Sequence, residues 1–300
     1  MRRVASFLER SLLPLVVLAG AAGLLLPAPA RAADAANGII IVLVVLVAAV
    51  GLGLPVAALT DTRQHAGRIT LVILVPLIGL PALAWAASRL LPSGPLHDGV
   101  LAAGVAPAEV ASVALAGIAG GSAALASTVL VGSTVGSVLL AGPTLHLLTG
   151  GGNSFSNGGL LMSLLEIVAV PLAAGIAARA AATTARRHSA DQLSSAVTSV
   201  AVLVLIWLVA GQAHLGRDYM RGAVALLVFL AGSTLLGAVL TIGLAKPDRT
   251  SLLLPVAMRD FAIAAGIATR AFGPPAASVL GLYGVFVLIL GAAATRTTNQ

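Results

Sequence analysis

The sequence is a succession of long apolar stretches separated by short polar ones. A helix needs roughly 20 apolar residues to cross a bilayer. Read with that ruler, the chain offers ten spans, over residues 11–27, 38–60, 69–88, 98–119, 123–148, 158–178, 192–213, 222–245, 251–269 and 275–294. No formal charge occurs between Glu109 and Glu166. That interval is too long for one helix, and Gly120-Gly121-Ser122 divides it. Thr149-Gly150-Gly151-Gly152-Asn153 reads as a flexible connector. It splits the chain into halves, 1–150 and 151–300, with five spans each. An odd number per half inserts the two halves with opposite orientation, the layout of inverted-repeat transporters.

Composition narrows the class. The chain is 59% hydrophobic and only 9% charged, against about 25% charged in soluble domains. This excludes a soluble globular protein, a disordered chain and a nucleic-acid binder. There is no cysteine, which excludes disulfides and thiolate metal sites. The net charge of +7 rests on 17 Lys and Arg, and their placement is a topology signal. With the N-terminus in the cytoplasm, eleven lie in inner loops, five lie outside, and Arg259 lies within the membrane. Both termini are therefore expected inside a cell inner (plasma) membrane. The first span has a rival reading. Arg2-Arg3, an apolar run and Ala30-Arg31-Ala32 also suit a cleaved secretory signal. The symmetry of the halves favours a retained helix.

The fourth span of each half carries the chemistry. One reads Pro107, Glu109 and Ser112 before Ala116-Gly117-Ile118-Ala119. The other reads Pro255, Met258, Arg259 and Asp260 before Ala265-Gly266-Ile267-Ala268. Proline removes a backbone donor and clashes with the preceding turn. Freed carbonyls survive in lipid only where they face protein or a cavity. Two such helices, broken and crossing at mid-membrane, would aim carbonyls and half-helix N-termini at one spot, suited to an ion and an anionic group. Charges inside spans are expensive and usually functional. On helical geometry Arg259 and Asp260 point about 100° apart, so Arg259 is expected to pair with Glu109 across the two breaks. The rival is an Arg259–Asp260 contact through a distorted turn. Glu166, four residues before Val170-Pro171, is a candidate proton carrier or a snorkelling residue. Ser122, Ser127, Thr128, Ser133, Thr134 and Ser137 crowd the fifth span. Such hydroxyls bond to carbonyls or join helices, and some could ligate sodium. No histidine has a second at metal-ligand spacing, so no metal site is expected. No Ser/His or His/Glu constellation inside the spans suggests an enzyme.

At these residues the chain resembles the bile acid:sodium symporter superfamily, as a bacterial member, over roughly residues 40–290. The resemblance is carried by Gly51-Leu52-Gly53-Leu54 before Asp61-x-Arg63 and by Leu80-Pro81-Ala82-Leu83. It is also carried by the proline-led fourth span before Ala119-Gly120-Gly121-Ser122, by Val170-Pro171-Leu172 with Gly175, and by Met258-Arg259-Asp260. It implies an all-α polytopic membrane protein of ten helices in two inverted five-helix repeats. The fourth and ninth helices are broken and crossing, and a panel and a core domain each draw on both repeats. It implies secondary transport of a small organic anion, bile-acid-like or a keto or carboxylic acid, with Glu109, Ser112, Ser122, Met258, Arg259 and Asp260 at the substrate and ion site. The family's sodium ligands are largely replaced. Its Ser-Asn pair falls on Ser112-Val113, its small-residue–Gly-Asp turn on Gly120-Gly121-Ser122 and its Met-Gln-Asn on Met258-Arg259-Asp260. An acidic ligand falls near Pro255 and a glutamine near Pro76. Arg259 could then replace the positive charge of sodium, with Na+ or H+ as coupling ion and no other cofactor. A sodium-independent carrier or a metalloid-type exporter is the alternative, although the exporters rely on a cysteine in the fourth helix that is missing here. The expected partners are the organic anion and membrane lipid, with no nucleic acid.

Overall fold

The computed structural model describes residues 12–54, 66–151, 155–182, 184–214 and 216–296. Asp61-x-Arg63, the end of the second span beyond Leu54, and the charges of the N-terminal segment lie outside them. The described chain is helical, with one isolated β-bridge. Six helices are long and apolar enough to cross a membrane, or seven with one bent pair. The protein is a multi-pass membrane protein.

The first half begins with α1 (Leu12–Leu25) and α2 (Pro27–Ala35), which meet at 89°. Pro27 takes the first position of α2, where its missing N–H is harmless. Then come α3 (Gly38–Gly53), α4 (Ala66–Ser88), α5 (Pro95–Val105), α6 (Ala111–Ile118) and α7 (Ala123–Leu148). The second half holds α8 (Asn157–Leu164), a π-turn over Leu165–Ala169, α9 (Val170–Ala181), α10 (Thr184–Gly211) and α11 (Arg217–Leu240). It ends with α12 (Lys246–Ala257), α13 (Phe261–Phe272), α14 (Pro274–Ala277) and α15 (Leu280–Arg296). The expected fourth and ninth spans are thus both interrupted, as α5/α6 and α12/α13.

Two sets of helices pack among themselves. Helices α1, α3, α9 and α10 form one, and α4, α5, α7, α11 and α12 the other. Lipid tails offer no hydrophobic drive between helices, so close backbone approach through small residues carries the packing. A Cβ at Gly175 on α9 would lie 2.2 Å from Ala48 O on α3, and one at Gly51 would lie 2.4 Å from Leu172 O. These glycines let the two backbones touch. Gly175→Leu should therefore cost about 1–3 kcal/mol or more through overpacking. A lower melting temperature of purified protein checks this, with Gly67→Leu, at a site with open space, as the near-neutral comparison.

Candidate functional site at the crossed helix breaks

The two breaks are formed for different local reasons. In the first, Pro107 cannot donate, and the residue before a proline prefers extended backbone. Ala106 accordingly has φ −66° and ψ 152°. In the second no proline stands at the break, because Pro255 lies inside α12. There Met258 and Asp260 are both extended. The Asp260 carboxylate caps α13, its Oδ1 accepting from Ile263 N at 2.8 Å, and this fixes where the new helix starts.

The breaks satisfy each other. Glu109 N donates to Met258 O at 2.8 Å and Asp260 N donates to Pro107 O at 2.9 Å. This is a two-bond antiparallel bridge centred on Ala108 and Arg259. It makes Glu109 and Asp260 equivalent positions on the two strands. Hydroxyls from neighbouring helices hold the remaining backbone groups. Ala108 N donates to Ser133 Oγ at 3.0 Å, and Ser137 Oγ donates to Val105 O at 2.5 Å. Ser233 Oγ sits 2.8 Å from Ala257 O and 2.9 Å from Leu230 O. Of the fifth-span hydroxyls, Thr128, Ser133, Thr134 and Ser137 thus serve backbone. Ser233 does the same from α11 and has no sequence signal beyond being one hydroxyl among many.

Extended backbone decides where the charges point. Successive side chains on a strand face opposite ways. Glu109 and Asp260 line a cavity of about 1150 Å³. Arg259 faces the other side, toward Leu77, Pro81, Val105 and Ser137. Its Nη2 donates to Ala106 O, just past the end of α5, where helix-terminal carbonyls attract a cation. No ion pair joins Arg259 to Glu109 or to Asp260 among the described residues. Both expected pairings are therefore corrected. The pairing with Glu109 assumed helical geometry and the rival a distorted turn, where the chain is a strand that turns Arg259 away from both carboxylates.

The cavity lies between the set containing α3 and α10 on one side and the breaks with the starts of α6 and α13 on the other. Leu46, Val47 and Val50 of α3 and Ser194, Thr198 and Ser199 of α10 face Val110, Ala111, Phe261 and Ile263 across it. It reaches from the crossing toward Gly53, Ile118 and Asp191, the lower end of the molecule. The hydroxyl row on α10 gave no sequence signal, because its helical register against a cavity depends on packing. Buried Tyr283, whose charge interactions reach Arg259, Glu109 and Asp260, was missed for the same reason.

The other expected site residues separate. Met258 is fully buried at the bridge. Ser112 is fully buried on α6, and its Oγ has no hydrogen-bond partner. Ser127 Oγ on α7 is buried in the same state. Ser122 is away from the crossing. Gly120, at φ +76°, ends α6, with Gly121 N bonding back to Ala116 O at 2.8 Å. Ser122 then caps α7 through Leu125 N at 3.3 Å, while its own N–H donates to Ser251 Oγ at 2.6 Å. Glu166 sits exposed in the π-turn and does not line the cavity.

A broken-helix crossing beside a cavity, in a multi-pass helical protein, defines the membrane-carrier class. Residues 40–223 match the Sodium Bile acid symporter family, and the chain belongs to that family. No curated protein matches it. The match covers Glu109 and Ser112 and stops short of Met258, Arg259 and Asp260.

Arg259→Ala should remove a charged donor from Ala106 O at a buried site. Hydrogen bonds to charged groups contribute about 1.5–3 kcal/mol, so a clear fall in melting temperature is expected. Ser137→Ala should cost less, about 1 kcal/mol. Thermal unfolding of the detergent-purified variants checks the order.

Proposed function

We propose that the protein is a secondary transporter of a small organic anion, bile-acid-like or a keto or carboxylic acid. The observation that carries the reading is the cavity between the α3/α10 set and the crossed breaks. In the proposed architecture α1–α2, α3, α4, α5–α6 and α7 are the first five membrane helices and the remainder the second five. The two repeats are inverted, divided as 1–150 and 151–300. The set containing α3 and α10 is the panel, and the set containing α4 and α11 is the core. Rocking of one against the other would alternate access to the crossing. Arg68 at the start of α4 donates to Leu240 O and Ile242 O, Arg179 near the end of α9 donates to Leu52 O, and Lys246 and Arg249 open α12. These basic helix ends support their side, and both termini, as cytoplasmic in a plasma membrane. The protein is proposed as a carrier rather than an enzyme, with gradients as its only energy source.

A second reading, a sodium-independent carrier, is favoured by a specific observation. The family's side-chain sodium ligands fall on Val113 and near Pro255 and Pro76, and both prolines sit inside continuous helices. A hard cation wants several oxygens. Of the mapped positions at the crossing, Ser112 and Asp260 offer side-chain oxygens. The lack of cysteine weighs against a metalloid exporter.

The test is uptake of labelled cholate and pyruvate into proteoliposomes under an imposed sodium or proton gradient. Concentrative uptake on a proton gradient, unchanged when potassium replaces sodium, is the expected result. Sodium-driven uptake would support coupling through backbone carbonyls and hydroxyls. A melting temperature that rises only in sodium would say the same without cargo. A ligand at a hundredfold excess over Kd stabilises by about 2.7 kcal/mol.

A further inference from the structure

We propose that Glu109 and Asp260 work as one proton-carrying pair, and that an anion enters the cavity only when that pair holds a proton. The inference rests on the transporter reading and adds the coupling ion and its seat.

The cavity has an unexpected charge pattern for an anion carrier. Among the described residues its lining contains three carboxylates, Glu109, Asp260 and Asp191, and no Lys, Arg or His. Asp191 is engaged by Arg179 Nη1 at 2.5 Å. That leaves the two carboxylates at the crossing. They stand on equivalent positions of the bridge and interact through their charges. Asp260 spends one oxygen on its helix cap. Glu109 lines the cavity yet is only 8% exposed, and its buried Oε2 has no hydrogen-bond partner. A buried carboxylate oxygen without a donor is costly, and a proton shared with its neighbour would relieve that cost.

The charge balance points the same way. Arg259 stands behind the bridge, on its other face. Tyr283 on α15, a neutral phenol, is the other titratable side chain buried near the pair. Counting Arg259, the crossing carries one net negative charge with both carboxylates ionised. With one proton on the pair it is neutral. An anion placed against an ionised pair meets like charge in a water-poor site, where repulsion is least screened. With one proton on the pair, the anion meets a neutral crossing instead of like charge. Binding of proton and anion is then positively linked, which makes symport the consequence of the lining. No covalent step is involved. The proton moves on and off carboxylate oxygens.

Infrared spectroscopy of the purified full chain reads the pair without any cargo. Exposed carboxyls are ionised at neutral pH. The wild type should show a protonated-carboxyl band at neutral pH that disappears in alkaline buffer. Glu166→Gln should keep it. The double variant Glu109→Gln with Asp260→Asn should lose it, and asparagine still caps Ile263 N. A wild type without the band overturns the proposal, as does a band that persists in the double variant. If the double variant does not fold, Glu109→Gln alone must shift or abolish the band, and an unchanged band overturns the proposal. A wild type that shows the band yet transports nothing contradicts the transporter reading alone. Transport without the band contradicts the proton pair alone.

Discussion

Everything at the centre of this molecule follows from one constraint: backbone polar groups inside a membrane must find partners in the protein. Two helices stop there, each exposing peptide groups at its cut ends. They solve the problem jointly. Each break donates one N–H to the other, at 2.8 and 2.9 Å, and serines on α7 and α11 hold the carbonyls at the ends of α5 and α12. A two-residue stretch of strand is thereby built inside an all-helical protein. These hydrogen bonds come from elements already packed beside it.

That strand sorts charge. The alternation of side chains places Glu109 and Asp260 on the cavity and Arg259 behind it. Continuous helices would have set Arg259 and Asp260 about 100° apart around one axis, with Glu109 on another. The bridge instead makes a wall with carboxylates on one face and a guanidinium on the other, which binds the Ala106 carbonyl. Arg259 is thus a structural cation that offsets the pair through the wall. Its charge is felt at the cavity, while its side chain does not line it.

Much of this was legible in the sequence. The Pro107–Glu109 and Met258–Asp260 segments stood out as charge within apolar spans, and Gly120-Gly121-Ser122 marked a helix boundary that the structure resolves into a cap of α6 and a cap of α7. The role of Ser133 and Ser137 as backbone partners followed from their place in a helix. The direction of Arg259 was not legible, because one residue's conformation, strand or helix, reverses it, and only the partner break decides that conformation. The hydroxyl row of α10 and Tyr283 were hidden for a related reason. Periodicity says which residues share a face, and tertiary packing says what that face meets. The 89° turn between α1 and α2 was hidden as well, since Pro27 fits either an end or a bend.

The central claim is that the wall has two chemically different faces. The chain has no native cysteine, so single thiols can be read cleanly. Glu109→Cys, Asp260→Cys and Ala108→Cys, each purified in detergent and treated with a small water-soluble maleimide, measure access from the cavity. The account predicts labelling at positions 109 and 260 and protection at 108, which shares its face with Arg259. Labelling of Ala108→Cys at the rate of the other two, or protection of all three, would contradict it.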